Sequence, residues 1–307
     1  MRETTVNLGA LTLDSGVTLE NVEQHVTIDG EPAGDGSNVV FAAHALTGSS
    51  RVADWWPGIA GDGALFDRKR WCIVGINALG SCYGSTRTDE RITVRDIVRA
   101  QMRAFDILGV GRIAVVAGGS LGGMQALQWA LDAPERVGRA LIIGAHDHHS
   151  AMGIALNSVQ REAIALNPEA GLALARKIAM LTYKSEELFT QRHDRKPDRT
   201  DASRFDIEGY LDHQGRIFLE RMDARAYVTL THAMDSFDVR DRELAPGADV
   251  TFVGISSDWL FRPQDVRAAA VRLGARYLEL QSDHGHDAFL AEGAKLQALL
   301  APLLAAS

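Results

Sequence analysis

One segment constrains this chain more than any other. At 113–124 the sequence IAVVAGGSLGGM starts as an apolar run, breaks at Gly118-Gly119-Ser120-Leu121-Gly122, and resumes in the amphipathic stretch QALQWAL. A strand that hands over to a helix through so tight a turn needs glycine beside the turning residue, because a Cβ there would strike the crossing backbone. The residue left at the bend is Ser120, and the helix that begins behind it brings unpaired N–H groups and the positive end of its dipole close by. G-x-S-x-G by itself is compatible with an ordinary turn. With a strand before it and a helix after it, it predicts a nucleophile elbow whose Oγ is presented to an acyl carbon.

At 307 residues the chain is long enough for one large α/β domain or for a core carrying an insertion. Its 40 acidic and 32 basic residues give a formal charge of -8, so no chain-wide positive field exists to hold nucleic acid or an anionic membrane. No apolar stretch has the length of a membrane-spanning helix, and the first residues lack the basic-then-apolar order of a signal peptide. A soluble, unexported, cytoplasmic protein is therefore expected. The only cysteines, Cys72 and Cys82, form no C-x-x-C pair, which supports neither a disulfide framework nor a cysteine zinc site.

Short apolar runs recur at 38–43, 72–77, 113–118 and 139–144, and again at 250–255 and 276–281. Each of the first four is apolar throughout, as a strand covered by helices on both faces should be. The fold class predicted is α/β, with a mostly parallel central sheet. A helix is expected over 93–109, where Ile97, Ala100, Gln101, Ala104 and Leu108 recur at helical spacing, and it should cross over to the Ser120 strand. After Ala145 roughly a hundred residues carry helical periodicity and charge without a convincing strand, interrupted by the turn-rich QRHDRKPDRTDASRF. The chain thus divides into a core of residues 1–145 and 246–307 and an inserted helical lid of residues 146–245.

A serine hydroxyl is a weak nucleophile near neutral pH and needs a base, with an acid to fix the base's tautomer. Open α/β sheets gather their sites at the carboxyl ends of the strands. Asp258 follows the run VTFVGI, where its plain alternative is a helix N-cap; His284 and His286 follow RYLELQ, and their spacing does not choose between them. The order serine, aspartate, histidine is that of α/β-hydrolases. For the oxyanion, the N–H of Leu121 is the first donor, and the loop HALTGSS at 44–50 offers a second at Leu46, with the neighbouring Ala45 or Thr47 as alternatives.

Several blocks in order, HALTGSSRVADWW, NALGSCYGST, ITVRDIVRAQ, GGSLGGMQALQWALDAPERV, LNSVQREAI, GLALARKIAMLTYKSEE, YLDHQGRIFLERMDARAYVTLTHAMDSFD, SSDWLF and GHDAFL, together resemble the homoserine O-acyltransferase family. The resemblance implies an α/β-hydrolase fold with a helical lid. The implied reaction moves an acyl group from acetyl-CoA or succinyl-CoA, as co-substrate and with no resident cofactor, to the hydroxyl of homoserine, a step of methionine biosynthesis. Ser120 would carry the acyl group, His286 would be the base and Asp258 its orienting acid, with Leu46 and Leu121 as oxyanion donors. Arg176 would bind the acceptor's carboxylate, with Tyr183 nearby, and Asp287 its ammonium, which suits a zwitterion. The resemblance also suggests a homodimer acting on small molecules, with no nucleic-acid or membrane partner. Transfer to serine, or ester and thioester hydrolysis on the same triad, are the alternative activities.

Three features depart from the family pattern: a short connection between LNP at 166–168 and GLALAR, a weak match before HALTG, and Arg87 after GST where Gly-Pro is common. They bear on the coenzyme tunnel and on acyl or acceptor choice. His146, Asp147, His148 and His149 crowd together but lack the spacing of zinc ligands, so a polar lid entrance is expected and no metal. Trp55 and Trp56 either line the acyl tunnel or pack under a loop, and Cys82 reads as an inert thiol.

Overall fold

The six runs become six strands of one eight-stranded sheet in a computed structural model that describes residues 1–305. Its strands are β1 (Arg2–Thr12), β2 (Thr18–Asp29), β3 (Val39–Ala43), β4 (Cys72–Ile76), β5 (Ile113–Gly119), β6 (Val137–Ile143), β7 (Val250–Ile255) and β8 (Arg276–Leu280). They lie in the order β1-β2-β4-β3-β5-β6-β7-β8. From β4 through β8 every neighbouring pair is parallel, and only β1 with β2 and β2 with β4 run antiparallel.

Alternate residues of β3 serve two separate cores. Val39, Phe41 and Ala43 point into one apolar cluster and Val40 and Ala42 into the other, as the two-residue period of a strand requires. On the first face Phe41, Phe105 and Trp129 meet edge to face at 5.3, 6.0 and 5.7 Å between ring centroids. Helix α1 (Val52–Trp55) sets Val52 in the other cluster, whereas α2 (Val94–Ile107) and α3 (Leu121–Asp132) pack on this first face. Thr93 starts α2 with a capping box shared with Asp96.

The first two strands were not among the runs read as strands. Their buried residues, Val6 and Leu8 on β1 and Val22, Gln24 and Val26 on β2, alternate with exposed ones, because an antiparallel edge hairpin leaves one face to water.

Five helices separate β6 from β7: α4 (Ala151–Leu166), α5 (Pro168–Tyr183), α6 (Glu186–Arg192), α7 (Asp206–Leu219) and α8 (Ala224–Asp235). The short connection at 166–168 is a one-residue turn in which Asn167 ends α4 and caps α5 through its side chain, and Pro168 opens α5. The two helices then pass so closely that a methyl on Gly171 would stand 2.0 Å from the Ala163 carbonyl oxygen. Helices α9 (Pro263–Arg272), α10 (Ala288–Ala291) and α11 (Gly293–Ala305) complete the core. No single described helix is long and apolar enough to cross a membrane.

Candidate active site

At the end of β5 the chain turns through Ser120 with φ 57° and ψ -124°, a left-handed conformation that costs an ordinary residue about 1–3 kcal/mol. Close packing imposes it. A Cβ on Gly122 would lie 2.1 Å from the Ala43 carbonyl oxygen, and one on Gly119 2.5 Å from the Phe289 ring. The Ser120 N–H donates to the Ile143 carbonyl at 2.9 Å, which ties the bend to the end of β6, and the Ser120 carbonyl receives the Met124 N–H at 3.0 Å to begin α3. As the first residue of α3, Leu121 has an N–H that the helix does not use.

Asp258 and His286 come from the loops after β7 and β8. His286 Nδ1 lies 2.6 Å from Asp258 Oδ2, and both residues are 2% exposed. The other carboxylate oxygen, Oδ1, accepts the N–H groups of Leu260 and Phe261, each at 2.9 Å. Asp258 therefore holds its own turn and the histidine at once, while the residue that caps α9 is Arg262. Phe261 stacks on the His286 ring at 5.1 Å, with Tyr183 and Phe289 each at 5.7 Å. Burial works against a charged imidazole, but the charge and hydrogen bond of Asp258, joined by the charge of Asp287, hold its pKa above the ordinary histidine value.

The geometry separates the two histidines that spacing left equal. His284 turns to Glu292, with Nδ1 3.2 Å from Oε1, whereas His286 lies 3.3 Å from where a Cβ on Gly144, just after β6, would be. Its Nε2 is buried and has no hydrogen-bond partner among the described residues, so the imidazole and the Ser120 hydroxyl are not bonded to each other. Both nevertheless line one cavity of about 280 Å³.

Leu46 lines the same cavity from the loop after β3, and its N–H makes no backbone bond among the described residues. That loop is fastened by His44, a fully buried ring whose Nε2 accepts the Ala78 N–H at 2.9 Å and whose Nδ1 therefore donates to the Ala45 carbonyl at 2.7 Å. Burial pushes its pKa down to about 4, so it stays neutral.

Arg176 and Tyr183 reach the cavity from α5 of the lid, and Asp287 from the turn after His286. Arg176 makes no hydrogen bond or ion pair among the described residues; its Nε is buried without a partner, and its guanidinium lies 5.1 Å from the Phe218 ring and 5.8 Å from that of Tyr183. Burial pushes the Tyr183 phenol up to about 12, which keeps it neutral. Asp287 is not free: Lys184 Nζ stands 2.8 Å from its carboxylate.

Two basic residues were missed by sequence reasoning. Lys184 is one. Arg221 is the other, lining the cavity from the stretch after α7, sharing the Phe218 ring at 5.1 Å and donating to the Thr47 carbonyl at 2.8 Å. Its partner is 174 positions away, so local spacing carries no trace of it. Arg87, the departure after GST, pairs with Asp223 at the start of α8 and so links a core loop to the lid. Trp55 lines the cavity, while Trp56 is buried beneath it and donates to the Phe289 carbonyl at 2.9 Å.

The crowded histidines lie where the chain enters α4. One donor atom from each of His146, Asp147 and His148 falls within 4.8 Å of the others, and Arg272 Nε takes the second oxygen of Asp147 at 2.7 Å. A guanidinium thus already compensates the only carboxylate of the group. Cys82 sits with its sulfur 3.6 Å from that of Met222, and burial raises the Cys72 thiol to about 11.

Comparison with known proteins agrees with this architecture. A family model for the alpha/beta hydrolase fold matches residues 38–292. Homoserine O-acetyltransferase from Methanocorpusculum labreanum is 34% identical over a match covering 96% of this chain and 71% of that protein. The enzyme of the same name from Nostoc punctiforme is 38% identical, with 94% and 92% covered. Among solved structures, homoserine O-acetyltransferase from Staphylococcus aureus superposes with a TM-score of 0.86 at 30% identity, covering 99% of this chain and 95% of that one. Esterase E22 reaches a TM-score of 0.86 at 19% identity, covering 97% and 99%, a likeness of fold alone.

Proposed function

We propose that this chain, which belongs to the homoserine O-acetyltransferase family of α/β-hydrolases, transfers an acetyl group from acetyl-CoA to the hydroxyl of L-homoserine through an acyl-Ser120 intermediate. One observation carries the reading. The cavity that contains Ser120 and His286 also contains an arginine, Arg176, that pairs with no carboxylate among the described residues. A general esterase has no need of such a group, but an acceptor that is itself a carboxylate does.

In the first half-reaction His286 Nε2 takes the Ser120 proton as Oγ attacks the thioester carbonyl. The N–H groups of Leu46 and Leu121 hold the oxyanion, and the thiolate of coenzyme A departs with the proton from His286. In the second, homoserine enters with its carboxylate on Arg176 and its ammonium toward Asp287, whose charge it shares with Lys184. His286 removes the hydroxyl proton, the oxygen attacks the acyl-serine, and Ser120 Oγ leaves reprotonated. Asp258 keeps the ring in the tautomer that leaves Nε2 free to accept, and the imidazolium formed at each step lies against its carboxylate. Tyr183, neutral and packed on the His286 ring, walls the acceptor side.

Transfer outruns hydrolysis because the lid and Arg176 hold one hydroxyl at high effective concentration in a small cavity. The test is thiol release from acetyl-CoA with and without homoserine, beside the Ser120→Ala variant. The expected result is a release rate that depends on homoserine, an O-acetylhomoserine product, and loss of both in the variant. Turnover indifferent to homoserine would instead favour a hydrolase.

A further inference from the structure

The two amides assigned to the oxyanion belong to segments remote in sequence, yet a single buried side chain bridges them. Gln125, fully buried one turn into α3, donates from Nε2 to the His44 carbonyl at 3.0 Å and to the Leu121 carbonyl at 3.1 Å. One accepting carbonyl lies two residues before Leu46, and the other is that of Leu121 itself. Both hydrogens of the amide are thus used, one on each side of the oxyanion site.

What fixes this orientation lies further inside. An indole N–H can only donate, and that of Trp129 points at Gln101 Oε1 at 3.0 Å. The Gln101 amide is thereby turned so that its Nε2 faces Gln125 Oε1 at 2.6 Å, which in turn directs Gln125 Nε2 at the two carbonyls. Trp129 and Gln101 are both fully buried, so no water competes for these groups. The chain has one polarity, set by its donor-only end, and reversing any amide would place donor against donor or acceptor against acceptor.

We propose that Gln125 is a positioning residue of the acyl-transfer site, and that the Trp129–Gln101–Gln125 chain sets the separation and direction of the Leu46 and Leu121 N–H groups. This rests on the reading of those amides as the oxyanion donors. The neutral His44 ring fastens the same loop from its other side, to Ala78, so the loop is held at two points and a shift at the Gln125 point turns the Leu46 N–H. An oxyanion stabiliser acts only if aimed at the position the charged oxygen will occupy, which makes such a chain a determinant of kcat and not of substrate affinity.

The experiment compares wild type with Gln125→Met, which keeps side-chain length and loses both donors, and with Gln101→Met, which leaves Gln125 in place without its orienting partner. Folding is followed by circular-dichroism melting. Hydrolysis of p-nitrophenyl acetate gives kcat and KM, and a trifluoromethyl ketone that forms a tetrahedral adduct with serine gives Ki. Loss of one oxyanion donor typically costs about 10²–10³ in kcat, so its misplacement in Gln125→Met is expected to cost about tenfold or more, with Ki rising in parallel and KM within about twofold. Gln101→Met is expected to move in the same direction by less.

A purely structural role would lower the melting temperature and leave kcat and Ki per folded site unchanged, and that outcome overturns the proposal. If Gln125→Met does not fold, Gln101→Met is judged by the same criterion. The ester assay needs no amino-acid acceptor, which separates the two readings. Wild type that fails to transfer to homoserine while Gln125→Met still loses ester turnover removes the proposed substrate and leaves this assignment standing; normal transfer with an unaffected Gln125→Met removes this assignment alone.

Discussion

His286 presents one ring nitrogen to Asp258 at 2.6 Å and leaves the other, equally buried, without a partner among the described residues. The asymmetry is what a general base needs: Nδ1–H is committed, and Nε2 keeps a lone pair facing the cavity. Because the base must be neutral to act, kcat/KM is expected to rise with pH through the His286 pKa, with a midpoint above the ordinary value of about 6.5. Removing a negative charge destabilises the imidazolium, so Asp287→Asn should move that acid limb to lower pH. Asp258→Asn should lower kcat by about 10⁴-fold through the wrong tautomer. A pH-rate profile of each variant checks these signs.

Arg176 is expected to govern the second substrate. Replacing it with Met removes charge-assisted hydrogen bonds of about 1.5–3 kcal/mol, so the KM for homoserine should rise about tenfold or more. The burst of thiol released by donor alone should survive. Rapid-mixing measurements with and without homoserine separate the two, and an unchanged acceptor KM removes Arg176 from the acceptor site.

The elbow has a structural cost of its own. Gly122→Ala places a methyl 2.1 Å from the Ala43 carbonyl, where backbone on both sides must move. A loss of at least about 2 kcal/mol in stability is expected, with loss of activity beyond it as the bend opens. Denaturant titration gives the first and specific activity of the folded fraction the second.

Where the sequence spoke and where it did not follows from the range of the interactions. The inner parallel strands were legible because burial on both faces writes a continuous apolar run, as in VVFAA of β3, whose every residue is buried. The edge hairpin β1–β2 was not, because half of each strand faces water. Ser120 was legible because the bend needs its glycines as immediate neighbours. Arg221, Lys184 and Gln125 were not singled out: Arg221 and Gln125 act on backbone carbonyls far away in the chain, and Lys184 meets its carboxylate only because α5 ends over the turn that holds His286. A backbone carbonyl leaves no mark on residue type, so such contacts have no sequence signature.

The acyl-Ser120 intermediate is covalent, so mass spectrometry of the peptide containing Ser120 after brief mixing with acetyl-CoA and no acceptor detects it. The peptide is expected to gain one acetyl group, to lose it when homoserine is added with O-acetylhomoserine appearing in equal amount, and to remain unlabelled in His286→Ala. Homoserine acetylation that proceeds at full rate while Ser120 stays unmodified at every mixing time would exclude transfer through Ser120.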